Sequence, residues 1–167
     1  MLAWRIARAK FALDRSGAGG VADGGRWHAQ GVPVIYAGLS VEICAMEKLA
    51  HTGHILPPDL MLVALSLPDD MALYETADCA ALPGWEATPP GAVSLEYGTT
   101  FLRSLRALGL IVPSAIVPEA RNIVLNPLHP RFAEVGVELL RHFVSVSYTH
   151  LRAHETDSYL VCRLLLE

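Results

Sequence analysis

The apolar residues of this chain fall in short runs that glycine or proline closes, and this feature restricts the fold more than any other. One run covers residues 32–37 between Gly31 and Gly38, and another covers residues 61–67 and ends at Pro68. Apolar runs of this length are typical of buried strands. Even the longest run falls far short of the roughly 20 residues that cross a bilayer. We therefore expect a sheet at the centre and no membrane partner.

Two segments between the predicted strands have the features of helices. Ser40 is a suitable N-cap for a helix over residues 41–51, and apolar residues at helical spacing predict a second helix over residues 97–108. These elements indicate an α+β fold in which helices flank a compact mixed sheet. The other predicted elements are a strand over residues 2–6, a loop over residues 77–92, a strand over residues 111–117 that Pro113 makes an edge or bulged strand, and a last helix over residues 132–143.

Composition narrows the class of protein. The chain has 167 residues, 52% of them hydrophobic and 18% charged, which favours one folded domain over a disordered chain. Its net charge of −4 argues against direct binding to nucleic acid. Three scattered cysteines suggest reduced thiols, and the N-terminus lacks the pattern of a signal peptide, so we expect a cytoplasmic protein.

Glu47 is the most informative single residue. On the predicted helix it shares one face with Ile43, Met46 and Ala50. A carboxylate on the side that faces the core is unfavourable unless it is paired or functional. The alternative is a surface glutamate that pairs with a neighbouring lysine or arginine.

Arg26 and Tyr36 are the next candidates. Arg26 follows two glycines, where the backbone can approach a ligand and the guanidinium can bind phosphate or carboxylate. The alternative for Arg26 is an ion pair with Asp23 or Glu47. Tyr36 ends a predicted strand, where its ring could stack on a flat ligand while its hydroxyl stays wet, or could simply cover the edge of the core.

Ser114 lies in the kink of a predicted strand, where its hydroxyl could bind a ligand or satisfy a loose backbone group. The glycines of residues 17–20 lack the strand and helix of a dinucleotide-binding motif. His51 and His54 lack a third ligand at convincing spacing, so we expect no metal. These residues are compatible with the binding of a phosphorylated, ring-bearing small molecule, but they do not identify the reaction.

The same residues occur in a characteristic order. They are Trp4, Arg5, Phe11, Gly17, Gly19, residues 24–27, Gly31, residues 33–37, Ser40 and Glu47, followed by residues 113–118, Asn122, residues 125–127, His129 and Pro130. This order resembles the RES domain, which is named for an arginine, a glutamate and a serine. The likeness covers about residues 2–143. It implies a fold related to ADP-ribosyltransferases.

The resemblance implies the toxin of a bacterial RES–Xre toxin–antitoxin pair. Such a toxin depletes NAD, which is its substrate and not a bound cofactor, by cleaving the nicotinamide–ribose bond with water or phosphate as the acceptor. Its partner is an Xre-type helix-turn-helix antitoxin, which supplies any DNA binding. Two alternatives are the transfer of ADP-ribose to a cellular protein, and an inert truncated toxin that only binds its antitoxin. The sequence does not decide whether the chain forms a homo-oligomer.

The resemblance also implies roles for individual residues. Arg26 would hold the phosphates or a ribose of NAD, Tyr36 would pack on the nicotinamide end, and Glu47 would stabilise the oxocarbenium-like ribosyl centre. Three further residues would line the pocket or anchor the substrate: Arg5, Ser114 and Asn122.

The chain departs from the family pattern at two places. His28 stands where many members have asparagine, which implies a changed contact in the pocket. From residue 146 onward the sequence resembles a translated sequencing adapter. We therefore expect residues 1–145 to form the NAD-binding catalytic domain and residues 146–167 to be a non-native tail.

Overall fold

A seven-stranded sheet organises the part of the chain that the computed structural model describes, residues 1–52 and 56–144. Its strands are β1 (Leu2–Arg8), β2 (Ile35–Gly38), β3 (Leu60–Ser66), β4 (Tyr74–Thr76), β5 (Gly109–Pro113), β6 (Arg121–Leu125) and β7 (Gly136–His142). Their order across the sheet is β4-β5-β6-β2-β1-β3-β7. Only β4 and β5 pair in parallel. The mixed sheet with few helices confirms the α+β expectation, and the expected tail, residues 146–167, lies outside the described residues.

The described part of the chain also contains three α-helices: α1 (Ala18–Ala22), α2 (Val41–Thr52) and α3 (Ala92–Ser104). The two longer helices cover the same face of the sheet. Cys44 of α2 packs in one apolar cluster with Ile6 and Leu62, and Phe101 of α3 packs in another with Val112 and Val124. No helix among the described residues is long and apolar enough to cross a membrane.

The register of the strands decides which side chains meet. Gly38 of β2 pairs with Trp4 on one side and with Asn122 on the other. Directly paired residues point to the same face, and so do residues two apart along a strand. Tyr36, Gly38 and Asn122 therefore share the face that α2 and α3 cover, whereas Arg5 points to the other face.

The opposite face is covered by irregular segments and a 3₁₀ helix, Pro130–Glu134. Ala12, Phe132 and Val135 pack there against strand residues that include Val63 and Leu125. This layer closes the second half of the core, and no α-helix of residues 1–52 or 56–144 contributes to it.

The second predicted helix is displaced toward the N-terminus. Helix α3 begins at Ala92 and ends at Ser104, because Leu105 adopts the left-handed conformation with φ 52°. Leu108 instead lies outside the helix, fully buried, with its N–H bonded to the carbonyl of Leu73. The expected loop over residues 77–92 contains one short 3₁₀ helix, Cys79–Ala81.

The prediction of a last helix over residues 132–143 is wrong. Most of that segment is β7, which pairs along β3 from Gly136 to His142. The open edge of β3 offers a complete row of backbone partners, and this tertiary pairing outweighs the local helical spacing. Pro113 is likewise not on an edge strand. It is the last residue of β5, an inner strand between β4 and β6, where its missing N–H costs little.

Candidate active site

Glu47 projects from α2 onto two side chains of the sheet. Its Oε1 accepts hydrogen bonds from the Ser114 hydroxyl at 2.8 Å and from Asn122 Nδ2 at 2.6 Å. Ser114 is fully buried, and its Oγ also accepts from the backbone N–H groups of Ile116, at 3.0 Å, and Val117, at 3.1 Å. With those acceptor positions filled, the hydroxyl hydrogen points to Glu47. The orientation of the carboxylate is thus fixed by the fold.

The two oxygens of Glu47 have different surroundings. Oε1 has both donors, whereas no hydrogen bond to Oε2 is found within residues 1–52 and 56–144. The nearest cationic candidate is His51 Nδ1, 3.9 Å from Oε2, and this nitrogen donates instead to the Glu47 carbonyl at 2.7 Å. The Glu47 side chain is 27% exposed. Oε2 is therefore free to meet a ligand.

Gly38 brings α2 close enough to the sheet for these contacts. A β-carbon at this position would lie 2.5 Å from Ile43 Cγ2 and 2.7 Å from Cys44 Sγ. The Cys44 thiol donates to the Trp4 carbonyl at 2.9 Å, and burial raises its pKa to about 11. Because the thiol stays protonated at neutral pH, Cys44 is a packing residue and not a nucleophile.

The ring of Tyr36 is partly exposed, whereas its hydroxyl group is buried. The residue is 38% exposed, yet its oxygen accepts from the Trp27 N–H at 3.1 Å and lies 2.8 Å from His28 Nδ1. Burial of this end raises the pKa of the phenol, and the Trp27 hydrogen bond and the Arg26 charge lower it by less. The hydroxyl forms its hydrogen bonds within the protein, so Tyr36 can contact a ligand through the surface of its ring.

Arg26 is anchored through one nitrogen. Its Nη1 donates to the carbonyls of Trp85, at 2.6 Å, and Ala87, at 2.8 Å. Within the described residues it forms no ion pair with Asp23 or Glu47, and its Nε and Nη2 make no hydrogen bond. A guanidinium held in this way keeps the N–H groups of Nε and Nη2 to donate to an anion such as a diphosphate.

The loop that holds Arg26 is itself fixed by aromatic packing. The rings of Trp85 and Trp27 stack with centroids 6.1 Å apart and planes 26° apart. Tyr97 of α3 meets Trp27 edge-on at 6.4 Å. The position of the Arg26 guanidinium therefore depends on a contact between two loops and α3.

Arg5 does not join these residues. It lies on the other face of the sheet, where its Nη2 donates to the carbonyls of Phe11 at 2.9 Å, Asp14 at 2.8 Å, and Ala12. Burial lowers the pKa of this guanidinium, and the nearby Asp14 carboxylate offsets part of that shift. Arg5 therefore ties the chain after β1 to the sheet, and the structure does not place it beside the other residues for which a substrate role was expected.

The structure thus brings Glu47, Ser114 and Asn122 into direct contact, and it places Tyr36 on the same face of the sheet. Asn122 contacts the carboxylate, which makes it a positioning residue for Glu47. Sequence reasoning did not find Trp85, because that residue acts through its carbonyl, which no side-chain pattern reveals.

Two other features lie apart from these residues. A depression of about 290 Å³ is lined by Pro33, Leu102, Asn126 and neighbours, and none of the candidate residues borders it. Among the described residues, no three histidines, cysteines or acidic residues are grouped to hold a metal ion. His54 lies outside the described residues.

Residues 2–150 match the RES domain. The chain belongs to the RES domain family. This RES domain is 42% identical to the Prs ADP-ribosylating toxin of Sphingobium sp. (strain YBL2), over 76% of this chain and 83% of that protein. It is 36% identical to Toxin Res of Pseudomonas putida, over 83% and 93%, and 35% identical to Toxin Res of Photorhabdus laumondii, over 79% and 85%.

The fold also has a solved relative. One chain in the crystal structure of the M. tuberculosis MbcT–MbcA toxin–antitoxin complex superposes with a TM-score of 0.65. The alignment covers 91% of this RES domain chain and 88% of the other, at 21% identity. This likeness shows a shared fold, and the family match confirms the resemblance seen in the sequence.

Proposed function

We propose that this RES domain is the toxin of a toxin–antitoxin pair and that it cleaves the nicotinamide–ribose bond of NAD. The observation that carries the proposal is the Glu47 carboxylate, whose Oε1 is held by Ser114 and Asn122 while Oε2 has no hydrogen-bond donor among the described residues. A carboxylate fixed before the substrate arrives can stabilise positive charge without reorganising.

Cleavage of the nicotinamide–ribose bond needs few further groups from the protein. When the bond between C1′ of the ribose and the nicotinamide nitrogen breaks, the electron pair leaves with nicotinamide, which becomes neutral. Positive charge develops at the ribose, where Oε2 of Glu47 would stabilise it. A water oxygen then bonds to C1′ and releases one proton, which gives ADP-ribose. With phosphate as the acceptor, the product is the 1″-phosphate of ADP-ribose.

Tyr36 and Arg26 would place the substrate around that carboxylate. Tyr36 pairs with Val124 on β6, and Asn122 lies two residues away on the same face. Such diagonal neighbours are roughly 7–8 Å apart, so a ligand that contacts the Tyr36 ring lies near the residues around Glu47. The Tyr36 ring would pack on nicotinamide, and the free Arg26 N–H groups would bind the diphosphate.

Transfer of ADP-ribose to a protein is the second candidate, which the name of the Sphingobium relative, Prs ADP-ribosylating toxin, supports. A protein side chain and a water molecule would attack the same carbon, so both reactions would use the same residues. The Toxin Res names and the MbcT–MbcA complex support an antitoxin partner, and the resemblance indicates the Xre type.

The test measures nicotinamide released from NAD by the purified protein, with and without phosphate. Glu47→Gln keeps an oxygen to accept from Ser114 and Asn122 but removes the negative charge. Glu42→Gln is the matched control, because Glu42 is an exposed carboxylate in the first turn of the same helix. We expect release by the parent and by Glu42→Gln, and none by Glu47→Gln.

A second arm follows labelled NAD in a cell extract. Label on a protein, with little free ADP-ribose, would favour transfer over hydrolysis. Release by Glu47→Gln at the parent rate would contradict the role of Glu47. If a folded parent neither released nicotinamide nor labelled a protein, NAD chemistry would be excluded and antitoxin binding alone would remain.

A further inference from the structure

His28 is a buried histidine whose hydrogen-bond partners define its tautomer. It is 3% exposed, and its Nε2 lies 2.9 Å from the Asp23 carbonyl and 3.1 Å from the Gly20 carbonyl. Carbonyl oxygens only accept, so Nε2 carries the hydrogen. In the neutral ring Nδ1 is then an acceptor, and the group that faces it is the Tyr36 hydroxyl at 2.8 Å.

The Tyr36 oxygen has a complete set of partners in this arrangement. It accepts from the Trp27 N–H and donates its own hydrogen to His28 Nδ1. The two rings meet at 58° with centroids 5.4 Å apart, so the contact works through the hydroxyl and not through parallel stacking. Two directed hydrogen bonds at the tip of the side chain fix the plane of the ring.

The same imidazole holds the segment that leads to Arg26. The two carbonyls that His28 Nε2 contacts belong to Gly20 and Asp23, which precede Arg26 in the chain. The Gly25 N–H donates to the His28 carbonyl at 2.9 Å, and this hydrogen bond closes the turn that contains Arg26. A β-carbon at Gly25 would lie 2.8 Å from His28 Cε1 and 3.0 Å from the Tyr36 oxygen. The glycine therefore makes room for the histidine–tyrosine contact.

We propose that His28, as the neutral ring protonated at Nε2, is a positioning residue that sets the plane of the Tyr36 ring for the pyridine ring of the substrate. The kinetic part rests on the proposed function, whereas the hydrogen-bond arrangement does not. Because Tyr36 would contribute binding surface, loss of its orientation should raise KM more than it lowers kcat. One such hydrogen bond corresponds to an effect of about 3- to 10-fold.

The first experiment records long-range ¹H–¹⁵N correlations of the full chain with labelled histidine, with His28→Asn to assign the signal. We expect the Nε2–H tautomer for His28 at neutral pH. A hydrogen on Nδ1, or a doubly protonated ring, would overturn the proposal. This measurement needs no turnover, so it stands even if the protein does not cleave NAD.

The second experiment is a double-mutant cycle that combines His28→Phe with Tyr36→Phe. In the parent background His28→Phe should raise KM for NAD by about 3- to 10-fold, and in the Tyr36→Phe background, where only the Nε2 contacts of His28 are left to lose, it should raise KM by a clearly smaller factor. His28→Asn, which keeps an acceptor oxygen, should recover part of the loss. An equal rise in both backgrounds would show that His28 acts independently of the tyrosine hydroxyl.

His129→Asn is the control for the general loss of a histidine. Nδ1 of His129 accepts from the Arg131 N–H at 3.2 Å at the start of a 3₁₀ helix, and asparagine can replace it there. We expect an unchanged KM. If the parent shows no turnover, the same cycle is measured on the free energy of unfolding, where additive effects of His28→Phe and Tyr36→Phe would overturn the contact.

Discussion

Gly98 of α3 lies directly against the backbone carbonyl of Trp27, so closely that a β-carbon at residue 98 would be 2.1 Å from that oxygen. The carbonyl belongs to the residue that follows Arg26 in the chain. The helix and the loop therefore touch through backbone atoms, and the distance between them is set by the absence of a side chain at Gly98.

Gly98→Ala should consequently separate α3 from the Arg26 loop. We expect it to lower the free energy of unfolding by about 1–3 kcal/mol, as overpacked sites do, and to slow nicotinamide release. Chemical denaturation and the NAD assay measure the two effects. Gly19→Ala is the control, because a β-carbon at Gly19 in α1 meets nothing within 4 Å and alanine favours a helix. Equal losses in both variants would contradict the steric argument.

Ser114→Ala should disturb the site and the fold together. It removes one donor from the Glu47 carboxylate and leaves the N–H groups of Ile116 and Val117 without their acceptor. A hydrogen bond to a charged group is worth about 1.5–3 kcal/mol, which corresponds to a loss of roughly 10- to 100-fold in the rate of nicotinamide release.

The matched control for that variant is Ser104→Ala. Its hydroxyl donates to the Phe101 carbonyl at 2.7 Å at the exposed end of α3. We expect the parent rate from this variant. A Ser114→Ala protein with the parent rate would show that Asn122 alone fixes Glu47.

Trp85→Ala should weaken substrate binding without touching an atom of Arg26. The ring of Trp85 stacks on Trp27 and thereby holds the loop whose carbonyls accept from Arg26 Nη1. We expect KM for NAD to rise by about tenfold, the equivalent of roughly 1.4 kcal/mol, with a smaller change in kcat. Trp85→Phe keeps an aromatic ring in the stack and should retain most of the affinity. Equal KM values for the two variants would exclude the stacking contact as the anchor.

Alkaline pH should destabilise the protein through Tyr36. Burial raises the pKa of this phenol, so the folded state holds the proton more tightly than the unfolded state does. This contribution to stability is complete below a pH of about 10 and is lost as the pH rises toward the pKa in the folded protein.

The comparison for that prediction is Tyr36→Phe. The free energy of unfolding should fall more between pH 8 and pH 11 in the parent than in Tyr36→Phe, which has no proton to lose at that position. Burial raises the pKa of Tyr74 to about 12 as well, but that effect is common to both proteins and cancels. An equal fall in both would contradict the burial of the Tyr36 hydroxyl.

Local signals predicted the elements that local interactions determine. The N-cap at Ser40 gave α2 to within one residue of its end. The stripe on that helix left two orientations open for Glu47, and the structure shows the one that faces the sheet. Strand β6 was not foreseen, because it begins with Arg121 and Asn122 and becomes central only through pairing with β2 and β5. Helical spacing misled us over β7 for the same reason.

The same distinction between local and long-range interactions applies to the residues of the candidate site. Arg5 was placed in the site by its neighbours in the family pattern, but the strand alternates faces at every residue, and Arg5 falls on the far side. The contact of His28 with Tyr36 joins a loop to a strand, and no spacing rule predicts a tautomer.

The partners of Glu47 come from 67 and 75 positions further along the chain. While the polypeptide is being synthesised, α2 emerges long before β5 and β6, and the centre of the sheet cannot close until both have followed. Contacts that join such distant segments also form slowly. A nascent chain therefore carries Glu47 without these two partners while a further 75 residues are made, and the geometry of the candidate site forms only near the completion of the sheet.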